Sequence, residues 1–176
     1  MTLEQVVGRQ MEWRQPGALR RFYQLTQDGR EIASLRFEKS CGSLASGECG
    51  QARWTFKRIG FLSPKISVRE AGSETDLAQF TAGWMGTGWV VFNAGRRYYL
   101  RHTNFWGTEW AFEAEDGTAA VSLSGNQGLL KHGASVTLGQ ATAGLPEAPV
   151  MLLLIWYLRV LMNADASAAA VVAACS

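Results

Sequence analysis

Pro149-Val150-Met151-Leu152-Leu153-Leu154-Ile155-Trp156-Tyr157-Leu158-Arg159-Val160-Leu161-Met162 is the stretch that decides how this chain folds. Pro146 and Pro149 suit a helix start, and Glu147 beside them favours the positive end of a helix dipole. Apart from Arg159, every face of this helix is apolar. Such a helix is embedded either in lipid or in protein. Length separates the two. Val150 to Met162 spans roughly 20 Å at about 1.5 Å per residue, whereas a bilayer core takes about 30 Å and roughly 20 apolar residues. Asn163 and Asp165 stop the run, and extending it would bury both of them and Arg159 in lipid, at considerable cost. The reading is a helix over about 149–163 enclosed by protein, followed by an Ala-rich tail over about 164–176.

The enclosure has to come from strands. Period-two alternation runs from about residue 9 to residue 140. Leu19 to Thr26 and Glu31 to Glu38 are extended runs joined by Gln27-Asp28-Gly29-Arg30, and an Asp-Gly step between such runs signals a hairpin. Lys39 to Gln51 is a polar Gly/Ser loop that links or extends it. Further strands follow over Arg53–Arg58, Lys65–Glu70, Leu77–Ala82, Trp89–Asn93, Arg97–Thr103, Thr108–Ala114, Ala119–Leu123 and Ser135–Gln140, most of them separated by Gly or Asn. A closed antiparallel barrel removes its own edges, and its inward faces cover the helix on all sides. The expected fold is therefore mainly β, a closed antiparallel barrel enclosing one hydrophobic C-terminal α-helix.

Composition agrees. The chain has 176 residues, 47% of them hydrophobic and 18% charged, with seven Trp and 19 Gly. This suits one globular domain, residues 1–176, rich in tight turns, and excludes wholesale disorder. The net charge of +2 does not announce a nucleic-acid binder. Residues 1–102 hold 15 basic and 9 acidic side chains, and residues 103–176 hold 2 and 6, so a polarised surface is expected. Three Cys in no paired framework fit a reducing compartment. The N-terminus lacks a basic start and an apolar segment, so a cytoplasmic location is expected.

Several groupings could carry chemistry. Glu113 and Glu115 share a strand face with Glu109, an arrangement conceivable for acid/base catalysis and commoner as a solvated outer face. His102 could join Cys41 or Cys49 at a zinc, but no ligand pair has the short spacing of a metal site. Gly125 to Gly133, with Lys131, lacks phosphate-loop order, and Gly83 to Gly88 lacks a following helix. No catalytic motif and no cofactor site emerges. The best candidate is a basic face. Arg53, Lys57, Lys65 and Arg69 project outward from two strands that read as hairpin partners, with Arg58 at the edge. This cluster could hold an anionic headgroup. Trp54 and Phe56 point to the opposite, buried face, which argues against base stacking and so against single-stranded nucleic acid.

The hairpin Tyr23 to Phe37, the strand Trp54-Thr55-Phe56-Lys57, the run Tyr98-Tyr99-Leu100-Arg101, the segment Asn104-Phe105-Trp106-Gly107-Thr108-Glu109-Trp110 and the helix Pro149 to Met162 follow one another in a familiar order. The order resembles that of the tubby C-terminal-like superfamily, which includes the phospholipid scramblases and the LURP-one-related proteins. The resemblance implies about twelve strands around the helix. It also implies a non-enzymatic binding or scaffold protein, cytoplasmic or peripheral to membranes, whose partner is an anionic phospholipid or membrane surface. Scramblase-type members imply an alternative, a lipid-handling membrane protein anchored by the helix. Asn163-Ala164-Asp165 has too few carboxylates for the calcium stretch that such members carry beside the helix.

Overall fold

Twelve antiparallel strands precede one helix in the computed structural model, which describes residues 3–17, 20–60, 64–83, 86–105, 107–125, 133–142 and 144–174. The strands are β1 (Gln10–Arg14), β2 (Phe22–Gln27), β3 (Arg30–Phe37), β4 (Ala45–Cys49), β5 (Ala52–Ile59), β6 (Lys65–Glu70), β7 (Asp76–Ala82), β8 (Gly88–Phe92), β9 (Arg97–His102), β10 (Glu109–Glu113), β11 (Ala119–Gly125) and β12 (Ala134–Leu138). Each pairs with its neighbours in sequence, and β1 pairs with β12 in the register Gln10↔Thr137 to Trp13↔Ala134, which closes the barrel. Closure leaves no unpaired edge to recruit another chain.

Local chemistry explains the register. Asp28 and Gly29 have φ of 49° and 76°. Two positive φ values make the type I′ turn whose twist matches the flanking strands. Alternation then sends Tyr23, Leu25, Ala33, Leu35 and Phe37 inward. The Gly/Ser stretch read as a loop contains β4. Its Gly47 faces the interior, where a Cβ would lie 2.8 Å from Phe56 Cε2 and 3.0 Å from Leu153 Cδ1. Glycine there lets the wall come close to the helix, and the missing side chain is what hid the strand from its hydrophobic pattern.

The helix α1 (Ala148–Ala174) runs through the barrel. From Val150 to Tyr157 it is buried on every side. Trp156 stacks on Trp13 with ring centroids 5.5 Å apart, and Tyr157 stacks on Phe37 at 5.5 Å. The Tyr157 hydroxyl donates to the Ser43 carbonyl at 2.6 Å, and burial pushes its pKa well above the ordinary phenol value. The helix does not stop near residue 163, as the sequence suggested, but continues to Ala174, with Asn163 to Ala170 exposed beyond the barrel. Alanine is the strongest helix former, so the tail prolongs a helix already nucleated inside the core. Ala148–Ala170 is long and apolar enough to cross a membrane by composition, but the apolar part of it fills the barrel.

The two ends of the barrel differ. At the base, where the helix starts, Arg96 in the β8–β9 turn donates through Nη1 to both carboxylate oxygens of Glu147 at 2.8 and 2.7 Å. Glu147 is 5% exposed and immediately precedes the helix, so the pair seats the helix N-terminus. At the other end, the exit rim, Arg58 of β5 holds Asp165 of the emerging helix in a two-pronged ion pair at 2.6 and 3.2 Å.

Two outcomes follow. Leu153→Asp or Leu154→Asp buries a charge with no partner, so neither variant should reach a folded state in thermal melts. The corresponding Ala variants should each lose about 2–5 kcal/mol, and an Asp variant melting with wild type would show that a helix face meets water. Arg96→Met leaves the Glu147 carboxylate buried and unpaired. It should cost about 3 kcal/mol, the low end expected because the arginine itself is half exposed. Adding Glu147→Gln to that variant should recover most of the loss in denaturant titrations.

Candidate functional site: the basic exit rim

Arg53, Lys57, Lys65 and Arg69 do project from the outer wall of β5 and β6, but the register separates them into two pairs. Thr55↔Arg69 and Glu48↔Arg53 lie toward the base, and Ile59↔Lys65 and Lys57↔Ser67 lie toward the exit rim. The base pair is neutralised. Arg53 meets Glu48 at 3.3 Å, and Arg69 Nε donates to Asp76 at 2.6 Å. Ser67 Oγ also donates to Asp76 at 2.6 Å. These bonds, the Ser67 hydroxyl first and the Arg69 guanidinium second, hold the Asp76 carboxyl below the usual aspartate range. Arg58 lies on the inward phase of β5 with Trp54 and Phe56 and is spent on Asp165.

Lys57 and Lys65 differ from the arginines. Neither has an ion pair among the described residues, and Lys65 meets only the neutral Gln79 side chain, at 3.3 Å. Lys57 faces Ser67, and Lys65 has Ile59 on one side and Thr81 on the other. Ile59, Lys65, Thr81, Trp89 and Tyr99 are successive partners across β5 to β9, so they form one continuous outer row. Ile59 and Trp89 are 38% and 40% exposed, and the Trp89 ring packs on Tyr99 at 5.0 Å.

The rest of the rim has the same character. In an up-and-down barrel alternate turns meet at the same end. The exit rim therefore collects Arg20 and Arg21 before β2, Arg36 and Lys39 at the end of β3, Lys57 and Arg58 of β5, Lys65 of β6 and Arg159 of the helix. It also collects the exposed Leu44 and Phe105, the latter 94% exposed. The base carries Asp28, Glu31, Glu48, Glu70, Glu74, Asp76, Glu115, Asp116 and Glu147, partly balanced by Arg9, Arg30, Arg53, Arg69, Arg96 and Arg97. Arg159 reaches from the helix to the β9–β10 connection at this rim. It donates to the Gly107 carbonyl at 3.1 Å and lies over Trp110 at 5.2 Å, and burial lowers its pKa. Against this rim sits an apolar recess of about 230 Å³, lined by Ile66, Phe80, Leu158, Leu161 and Met162 and bordered by Arg58 and Asp165.

The other groupings do not converge. Glu113 pairs with Arg101 at 3.2 Å and Glu115 pairs with Arg97, so the two carboxylates serve separate ion pairs. His102 packs edge-on against Trp110 at 5.2 Å. Cys41 is exposed, and burial raises the Cys49 thiol. Among the described residues no three His, Cys, Asp or Glu side chains gather as a metal site. Residues 126–132, with Lys131 and His132, the residues Trp84, Met85 and Trp106, and Cys175 lie outside the described residues.

Asp76 gives a pH test. A carboxyl whose folded pKa is depressed stabilises the fold above its unfolded value of about 3.9, and that stabilisation is lost as pH falls through the lower folded value. Asp76→Asn should therefore lower the melting temperature at pH 6. It should also make the melting temperature fall less steeply between pH 4 and 2, and parallel curves for variant and wild type would show that Asp76 is not held ionised.

No family model, curated protein or solved structure matches this chain.

Proposed function

We propose that this chain is a non-enzymatic binding protein that docks its exit rim on anionic membrane surfaces from the cytoplasm. This is the kind of role the tubby-like resemblance implies. The observation that carries the reading is the outer row Ile59, Lys65, Thr81, Trp89, in which Lys65, without an ion pair among the described residues, shares the wall with exposed Ile59 and Trp89, while Lys57, likewise without one, lies on the next outward row. Lysines near an anionic bilayer each contribute on the order of 1 kcal/mol, and Trp and Tyr favour the headgroup level, where one edge is wet and the other apolar. A polar outer wall needs neither feature. The emerging helix supports the same orientation, because no charged residue follows Asp165 in its sequence. The helix serves this reading as core and not as an anchor. Its apolar centre, Val150 to Tyr157, is already buried on every side by the barrel.

Vesicle sedimentation tests the proposal. Phosphatidylserine-containing vesicles should retain the protein at low salt and release it as salt screens the lysines, and neutral phosphatidylcholine vesicles should not retain it. Lys57→Gln with Lys65→Gln should abolish retention at unchanged thermal stability. Trp89→Ala should weaken it at every salt concentration, whereas Arg53→Gln, at the already neutralised end, should leave it intact. Equal retention of wild type and the double lysine variant would remove the rim from consideration.

A further inference from the structure

A second feature of the rim stands independently of the membrane reading. Between the start of β2 and the end of β3 lies a recess of about 540 Å³ lined by Arg20, Arg21, Phe22, Arg36, Phe37 and Lys39. None of its four cations has an ion pair among the described residues. The acid on its wall, Glu38, accepts from Ser46 Oγ at 3.3 Å. Four cations against one carboxylate leave the recess strongly positive, and like charges repel one another, so the arrangement costs energy unless an anion joins it.

Two of the arginines are oriented by the fold. Arg36 lies over the Phe22 ring at 4.9 Å, its direct cross-strand partner. Arg21 lies 3.8 Å from the Phe37 ring centroid, and its Nη1 donates to the Gly42 carbonyl at 2.9 Å and to the Ser40 carbonyl at 3.3 Å. These contacts fix the guanidinium plane. Its Nη2 is buried, and the guanidinium lies close enough to the Tyr23 hydroxyl to lower that phenol's pKa against the effect of burial. Arg21 is therefore a fixed positive charge built into the wall of the recess. Stacked, immobilised guanidinium groups are the side chains best suited to paired oxygens, and they lose little freedom on binding them. Arg20 and Lys39 add mobile charge at the opening.

We infer that this recess is a binding site for a phosphate monoester, with Arg36 holding the phosphate oxygens, Arg21 supplying a fixed positive charge from the wall, and Arg20 and Lys39 drawing the anion in. The volume accommodates a phosphorylated small molecule and equally the headgroup of a phosphorylated lipid. The chemistry is the same for both, and the experiment separates them.

Inorganic pyrophosphate is the soluble probe, followed by calorimetry on the full chain. Wild type should bind it at low salt, with affinity falling as salt rises. The triple variant Arg20→Gln, Arg36→Gln, Lys39→Gln should bind it at least tenfold more weakly at an unchanged melting temperature. Arg21 is left in place because its carbonyl bonds hold the β3–β4 turn. The Lys57→Gln, Lys65→Gln variant should bind pyrophosphate like wild type, which keeps this site distinct from the membrane-facing row. The same variant, mixed with phosphatidic acid vesicles, identifies the source. Retention that disappears when the triple change is added assigns the site to a lipid phosphate. Pyrophosphate binding without such retention assigns it to a soluble one. No pyrophosphate binding by wild type, or equal binding by the triple variant, overturns the inference.

Discussion

A helix with no polar face imposes a single demand, that protein surround it completely, and the barrel is the answer to that demand. Leu152, Leu153, Leu154, Ile155 and Tyr157 point in every direction around the helix axis and all are fully buried. An open sheet or a sandwich covers one or two sides of such a helix. A closed wall covers all of them and satisfies its own backbone groups at the same time. The inward alternation of the strands, the absent side chain at Gly47 and the aromatic stacks from Trp13 and Phe37 all meet this one demand.

The same helix makes the two ends of the barrel unequal. One end receives its N-terminus, where Glu147 is buried and Arg96 neutralises it. The other lets the helix out, and there Arg58 grips Asp165. With the interior filled by side chains, binding has to take place at the ends or on the wall. Most of the cations without an ion pair among the described residues, and most of the exposed large apolar side chains, lie at the exit end, which is why the proposed functions concentrate there.

Much of this was legible in the residues. The greasy stretch before Asn163 and the Asp-Gly turn at residues 28 and 29 carry their meaning locally, and the architecture follows from them. The charge map was legible only in part. The first half of the chain is basic and the second acidic, but every strand visits both ends, so polarity along the sequence does not become polarity along the barrel. What sorts the charges is the parity of the turns, together with cross-strand register. Register gives Arg69 to Asp76 and leaves Lys65 among Ile59 and Trp89, although in sequence the two basic residues look alike. Arg58 reads as one more member of a basic run, and its tie to Asp165 spans most of the chain. The Arg21 recess joins two strands whose approach depends on the hairpin, and Arg20 and Arg36 carry no motif to announce it. β4 hid because glycine has no hydropathy to alternate.

The helix follows all twelve strands in the chain, and this order bears on how the protein comes to exist. During synthesis the strands leave the ribosome before the element they are to enclose. Neighbouring hairpins can pair early, since their contacts are local, but the β1–β12 seam joins residues far apart in the chain and has nothing to close around until the helix arrives. Val150 to Tyr157 supply the centre of the packed interior, so a barrel closed without them would enclose a void. Closure of the seam and docking of the helix are therefore one event, and it comes last. Until then the inward faces, with Trp13, Phe56, Phe80 and Phe112 among them, stand open on a curved sheet with two free edges. For this chain the hazardous interval for aggregation is the wait for its own final helix.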